Sequence, residues 1–242
     1  MDPLTHALAG LALGTLSGEP ISLANPIYLS AMLGAIAPDI DVLWGYKKLE
    51  RRRDLPKWLQ HRAITHSLVG MPILAGSIAL GLHLIFPQTS FWLLFLFALV
   101  GAFSHSLLDL MNCYGVKILW PIKKKTYSLN IIPFIDPVLI TFFLLMIGSV
   151  NFIKTLPPIL LLILFMYIGL RWVFSLRVKN TLSQHYTVAP NTIYMIPLIT
   201  NLATWDFLIE KNGIISGKVT CFPRISMEEN KKPTHLNKPQ KR

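Results

Sequence analysis

Seven ionisable residues stand in or beside apolar stretches that ordinarily exclude them. His6 lies in LTHALAGLALGTL, Asp39 and Asp41 follow PIYLSAMLGAIA in APDIDVLW, His61 and His66 precede an apolar run in QHRAITHSL, and His105 and Asp109 close another in GAFSHSLLDL. His105 and Asp109 are four residues apart, so on a helix they share a face and can hold one ion together. Imidazole nitrogen with carboxylate oxygen suits zinc, and also manganese or iron. An ionisable group in a membrane span costs roughly 2.5–3.5 kcal/mol on insertion scales and is usually kept for a purpose.

The remaining five fit around that pair. Asp39 and Asp41 turn the same way only in an extended segment, so one of the two is read as a ligand and the other as the carboxylate that orients a histidine. His61 and His66 are about 140° apart on an ideal helix. Both reach one cluster only if a helix begins between them, with Thr65 or Ser67 as its N-cap. Arg62 is placed to meet an anionic group, as is the Lys123-Lys124-Lys125 run, although a basic run there also satisfies orientation alone. Asp41 and Arg62 are the candidate catalytic residues; His6, Asp39, His61, His66, His105 and Asp109 are the candidate metal ligands. Blander readings apply elsewhere. His83 reads as a packing residue and His185 and His235 are set aside, while Asp136, before Pro137, reads equally well as a helix N-cap or as part of the site.

A divalent ion of this kind makes bound water acidic enough to attack near neutral pH. The chain has no Gly-rich phosphate loop, no GxSxG elbow and no cysteine-based nucleophile. Hydrolysis by metal-activated water is the enzyme class that fits, with zinc or manganese and one or two ions.

Such residues need a scaffold, and composition indicates which. Of 242 residues 52% are hydrophobic and 14% charged, with a mean hydropathy of +0.50, and the apolar residues come in blocks. Four windows approach the roughly 20 residues a span requires: Ser67 to Ile85, Phe91 to Met111, Ile131 to Val150 and Leu156 to Leu176. Leu4 to Leu16 and Pro26 to Ala37 are too short to span, and their Ala and Gly content suits a helical hairpin packed inside a bundle. MDPLTH lacks the basic start of a cleavable signal.

If the four windows alternate, Lys154 alone among the 23 basic residues falls on one side. The positive-inside rule then makes the crowded side cytoplasmic, brings the seven residues to that face, and explains the net charge of +11 without a nucleic-acid partner. Cys113 and Cys221 have no zinc-type spacing. The expected architecture is an all-α membrane protein with about four transmembrane helices, a short N-terminal helical hairpin and a small cytoplasmic C-terminal appendage. Residues 1–180 form the membrane-embedded domain. Residues 181–225 form a β-rich appendage, with a β-hairpin around Lys211-Asn212-Gly213. Residues 226–242 read as a disordered basic tail.

MDPLTHALAG, APDIDVL, HRAITHS, HSLLDLMNCYGVKILWP and FIDPV, in this order over about residues 1 to 140, resemble the YdjM-type inner-membrane proteins. That family is described as membrane-bound metal-dependent hydrolases and is distantly similar to zinc-dependent phospholipase C and related nucleases. The resemblance implies phosphoester hydrolysis, with the relatives' early histidine on His6 and their isolated aspartate on Asp39. Their next histidine falls on His61 or His66, and their His-x-x-x-Asp pair on His105 and Asp109. No histidine follows until His185, so the resemblance implies one or two ions rather than three. It also implies the bilayer as partner, with a phosphoester or lipid as substrate and a cytoplasmic protein as a further contact. Two other readings compete: a non-catalytic anchor that recruits a cytoplasmic partner through residues 181 to 242, and a transporter that relays protons or a cation.

Overall fold

The computed structural model describes residues 1–22, 24–40, 64–199, 201, 203–210 and 214–221, together with the backbone of 226–230. Asp41, His61 and Arg62, and the Lys211-Asn212-Gly213 turn signal, lie outside the described residues. Three helices begin with one sequence device, an Asp or Asn followed by Pro. Asp2 caps α1 (Pro3–Gly14) at the Thr5 amide, Asn25 caps α2 (Pro26–Ile36) at Ile27, and Asp136 caps α5 (Pro137–Ser149) at Val138 and Leu139. The carboxylate or amide oxygen accepts an amide that the helix leaves unpaired, and proline supplies a pre-set φ where no N–H is needed. For Asp136 this decides between the two sequence readings in favour of the cap.

Helices α3 (Gly70–Ile85) and α4 (Phe91–Met111) form a hairpin, and α6 (Leu156–Tyr186) runs unbroken for 31 residues. Helix α2 packs along α4 and α1, α3 packs on α4, and α5 joins α1 to α6. The approach of α2 to α4 depends on two glycines. A Cβ on Gly34 would stand 2.1 Å from the Ala98 carbonyl oxygen, and one on Gly101 would stand 2.2 Å from that of Ala31. Both are overlaps with backbone, so only glycine permits this spacing. It brings the end of α2 against the last turns of α4.

Among the described residues two helices, α4 and α6, are long and apolar enough to cross a membrane. Their most apolar windows are only 39% and 22% buried within the protein, unlike the core helix of a soluble domain. Ile73, Leu84, Trp92, Leu96, Leu162 and Met166 are among the large apolar side chains turned outward. The other two windows yield shorter helices. Helix α3 starts at Gly70 because residues 64–69 form turns, and α5 starts at Pro137 because Ile131 to Ile135 are not helical. At 1.5 Å per residue these helices reach about 24 and 20 Å, short of the ~30 Å hydrocarbon core.

Beyond α6 the chain forms a four-stranded antiparallel meander in the order β1 (Ile193–Pro197), β2 (Thr204–Glu210), β3 (Ile214–Thr220) and β4 (Ser226–Asn230). Strands β2 and β3 pair up to Glu210 and Ile214, which flank the turn signal. The sheet is larger than a hairpin, and β4 extends ordered backbone into the segment read as tail. Met195, Trp205, Phe207 and Val219 pack against Val178 and Leu182, so the last turns of α6 serve as the sheet's core partner.

Candidate metal centre

The short α1–α2 pair, the turns before α3 and the end of α4 meet at one end of the bundle. His6 sits in the first turns of α1, Asp39 in the 3-10 turn Ala37–Ile40 that follows α2, His66 just before α3, and His105 and Asp109 in the last turns of α4. Five of the eight predicted site residues therefore converge; the other three, Asp41, His61 and Arg62, lie outside the described residues.

One ligand atom from each of Asp39, His66, His105 and Asp109 falls within 4.8 Å of the others. Nε2 of His105 is 3.0 Å from Nε2 of His66, and each is 3.5 Å from Oδ1 of Asp39. Two ligands bound at ~2.0–2.1 Å in tetrahedral geometry are separated by about 3.3 Å, so these three atoms stand at separations that ligands of one ion would have. The ring orientations agree. Nδ1 of His105 donates to the Ala35 carbonyl at 2.7 Å, which leaves Nε2 of the neutral ring as the lone-pair atom. Nδ1 of His66 lies 2.9 Å from Thr65 Oγ1. Thr65 thus steadies a histidine ring instead of capping a helix, while Ser67 Oγ accepts the Gly70 amide at 3.0 Å.

Asp109 faces two ways. Its Oδ2 is 4.0 Å from His66 Nε2, and its Oδ1 is 3.4 Å from His6 Nε2 and also meets the Met1 amino group. The His6 ring stacks on His105 with centroids 3.7 Å apart. His6 is 1% exposed, and neither ring nitrogen has a hydrogen-bond partner among the described residues. Burial lowers its pKa from 6.5 to about 4, against the opposing pull of Asp109, so the ring is neutral at pH 7. A neutral, orphaned imidazole beside a carboxylate fits a metal ligand, since an unpaired buried nitrogen is otherwise costly.

Asp39, at 20%, is the most exposed of the five. Burial raises its pKa, but the contacts with His105 and His66 outweigh that and hold the carboxyl well below the usual carboxylate range. It remains an anion under all ordinary conditions. The other polar residues weighed from sequence have local partners: His83 Nδ1 meets the Thr89 carbonyl at 2.9 Å, and Asp136 accepts the Tyr167 hydroxyl at 2.8 Å. Arg171, buried on α6, escaped the sequence reading because it was counted only as a charge that sets orientation.

A family model described as YdjM inner membrane protein matches residues 1–178. That span contains all five converging residues and ends inside α6, before the sheet. The chain is 28% identical over 194 residues to the uncharacterized protein YfhP of Bacillus subtilis (strain 168), covering 76% of this chain and 58% of that protein. It therefore spans little more than half the length of the curated relative it matches. No solved structure matches.

Proposed function

The chain belongs to the YdjM inner membrane protein family, and from that premise we propose that it is a membrane-embedded, metal-dependent hydrolase acting on a phosphoester at the cytoplasmic face. The observation that supports this most is the spacing of 3.0–3.5 Å among His66, His105 and Asp39 in a buried site that also includes Asp109. Zinc suits the donor set and manganese is the next choice.

His66, His105 and Asp39 hold one position, with Asp109 Oδ2 turned toward it. His6, beside Asp109, would be the further ligand if a second ion bound. A bound divalent ion supplies Lewis acidity and a water acidic enough to attack near neutral pH. Ala35 and Thr65 fix the histidine rings so that Nε2 points inward. Asp39 borders solvent, so substrate and water approach across it. The topology that accompanies this reading has α3 and α5 completing four spans with help from flanking residues. All basic residues except Lys154 then face the cytoplasm together with the C-terminus.

The transporter alternative calls for ionisable groups along the bundle; His83, toward its other end, is instead bonded to a backbone carbonyl. Purified protein reconstituted with zinc or manganese should hydrolyse an activated phosphodiester such as bis(p-nitrophenyl) phosphate, and His105→Ala should not. If metal-loaded wild type and His105→Ala give equal rates, the hydrolase reading is wrong.

A further inference from the structure

Arg171 is 2% exposed. Its Nε and Nη2 both donate to one acceptor, the Ile131 carbonyl, at 3.1 and 2.9 Å. That residue belongs to the segment that finishes α4. The Ile131 and Ile132 amides donate to the Met111 carbonyl at 2.8 and 3.2 Å, and the Leu129 amide donates to the Leu110 carbonyl at 2.8 Å. The last carbonyls of a helix have no partner within it, and here residues 129–132 supply one. Leu110 and Met111 directly follow Asp109. One turn earlier on α6, Tyr167 holds Asp136, so α6 grips the 131–136 stretch at two points.

On its other side the Arg171 guanidinium lies 5.3 Å from the ring centroid of Trp205, a fully buried residue of β2. The Trp205 indole N–H has no hydrogen-bond partner among the described residues, so the side chain meets the site's surroundings through its face. A planar guanidinium can lie flat against that ring while two of its N–H groups share one carbonyl, which a lysine cannot reproduce.

We propose that Arg171 is a positioning residue of the metal centre: it fixes Ile131, and through residues 129–132 the last turns of α4 that carry His105 and Asp109, while Trp205 holds the guanidinium in place. This rests on the reading of the His/Asp cluster as a metal site. It makes the C-terminal sheet part of the support of that site. A metal ligand set depends on the groups that orient it, and loss of such a group typically weakens metal binding by 10–100-fold.

The test is a cobalt titration of the full-length, metal-stripped protein in detergent, read by visible absorption, because the d–d bands report ligand number and geometry as well as affinity. Wild type should bind cobalt with a defined band. Arg171→Met should bind about 10-fold more weakly and show an altered band even at saturation, and Arg171→Lys should recover part of the affinity. Trp205→Leu should shift both readouts in the same direction by a smaller amount. Hydrogen exchange at the amides of residues 129–132 should quicken in Arg171→Met and Trp205→Leu. Wild-type affinity and band in Arg171→Met would overturn the inference while leaving the metal site standing. If that variant does not fold, an unchanged spectrum and affinity in Trp205→Leu would overturn it instead. Absence of any cobalt band in wild type would overturn the site itself, and this inference with it.

Discussion

Two groups of buried polar side chains flank the last turns of α4. Around Asp136, donors meet acceptors: Oδ1 takes the Val138 and Leu139 amides, Oδ2 takes the Tyr167 hydroxyl, and Arg171 donates twice to the Ile131 carbonyl. Around His105, ring nitrogens and carboxylates crowd one buried pocket. Nε2 of His105, left as a lone pair by the bond from Nδ1 to Ala35, faces His66 Nε2 and the Asp39 carboxylate, and the neutral His6 ring lies against Asp109. Buried polar groups are normally satisfied within the protein. The first group obeys that rule with its own atoms, whereas the second gathers two imidazole Nε2 atoms and two carboxylates in one place, beside a His6 ring whose nitrogens have no hydrogen-bond partner among the described residues, a donor set that a cation would suit. Burial alone therefore does not mark a functional residue; the difference lies in what the buried atoms face.

This contrast is most exposed to failure in metal content. His105→Ala and Asp109→Ala should lose nearly all bound metal, whereas Asp136→Ala should retain it; elemental analysis of the three purified variants decides. Gly34→Ala should come next, because the added Cβ overlaps the Ala98 carbonyl and forces α2 from α4. A loss of roughly 1–3 kcal/mol, the range for overpacking, should appear in the unfolding temperature together with weaker metal binding as Asp39 recedes from His105. Asp136→Ala should cost about 1–2 kcal/mol as a lost helix cap, with metal still bound but slightly more weakly, since Arg171 still holds Ile131. If instead it loses metal as fully as His105→Ala, the two groups are one unit.

The smallest effect is a pH slope. His6 has a folded-state pKa near 4 against 6.5 for an ordinary histidine. Between those values the unfolded chain binds a proton that the folded one does not, so the metal-free protein should lose stability as pH falls from 6.5 toward 4. Asp39, ionised in both states through most of that window, does not oppose the trend. His6→Gln should flatten the slope in unfolding temperature against pH, and an unchanged slope would show that His6 is not the titrating group.

Much of the site was legible because its signals are local. His105 and Asp109 are readable from helical spacing, and the alternation of apolar runs carried His6, Asp39 and His66 to the same end. Asp136 before Pro137 offered a helix start, a reading the cap at Val138 and Leu139 bears out. What escaped depends on long-range contacts. Ile131 to Ile135 are apolar enough to read as membrane helix, yet Ile131 and Ile132 pair with the carbonyl of Met111, which no local pattern announces. Arg171 reads as one more basic charge until Ile131 and Trp205 stand beside it. The fourth strand was missed because MEEN is too polar to read as a strand and is recruited by pairing with β3. Between Thr65 and Ser67 as caps the local pattern does not choose, since the contact of Thr65 with the His66 ring depends on a turn whose shape its neighbours set.

The central claim is that the His/Asp cluster holds a metal ion, and the most direct measurement is the metal content of purified full-length protein before and after chelation. The account predicts one or two equivalents of zinc or manganese, removable by a chelator with a clear fall in unfolding temperature and restorable by adding the ion. Protein that purifies without divalent metal, and whose unfolding temperature is indifferent to chelator and to added zinc or manganese, would contradict it.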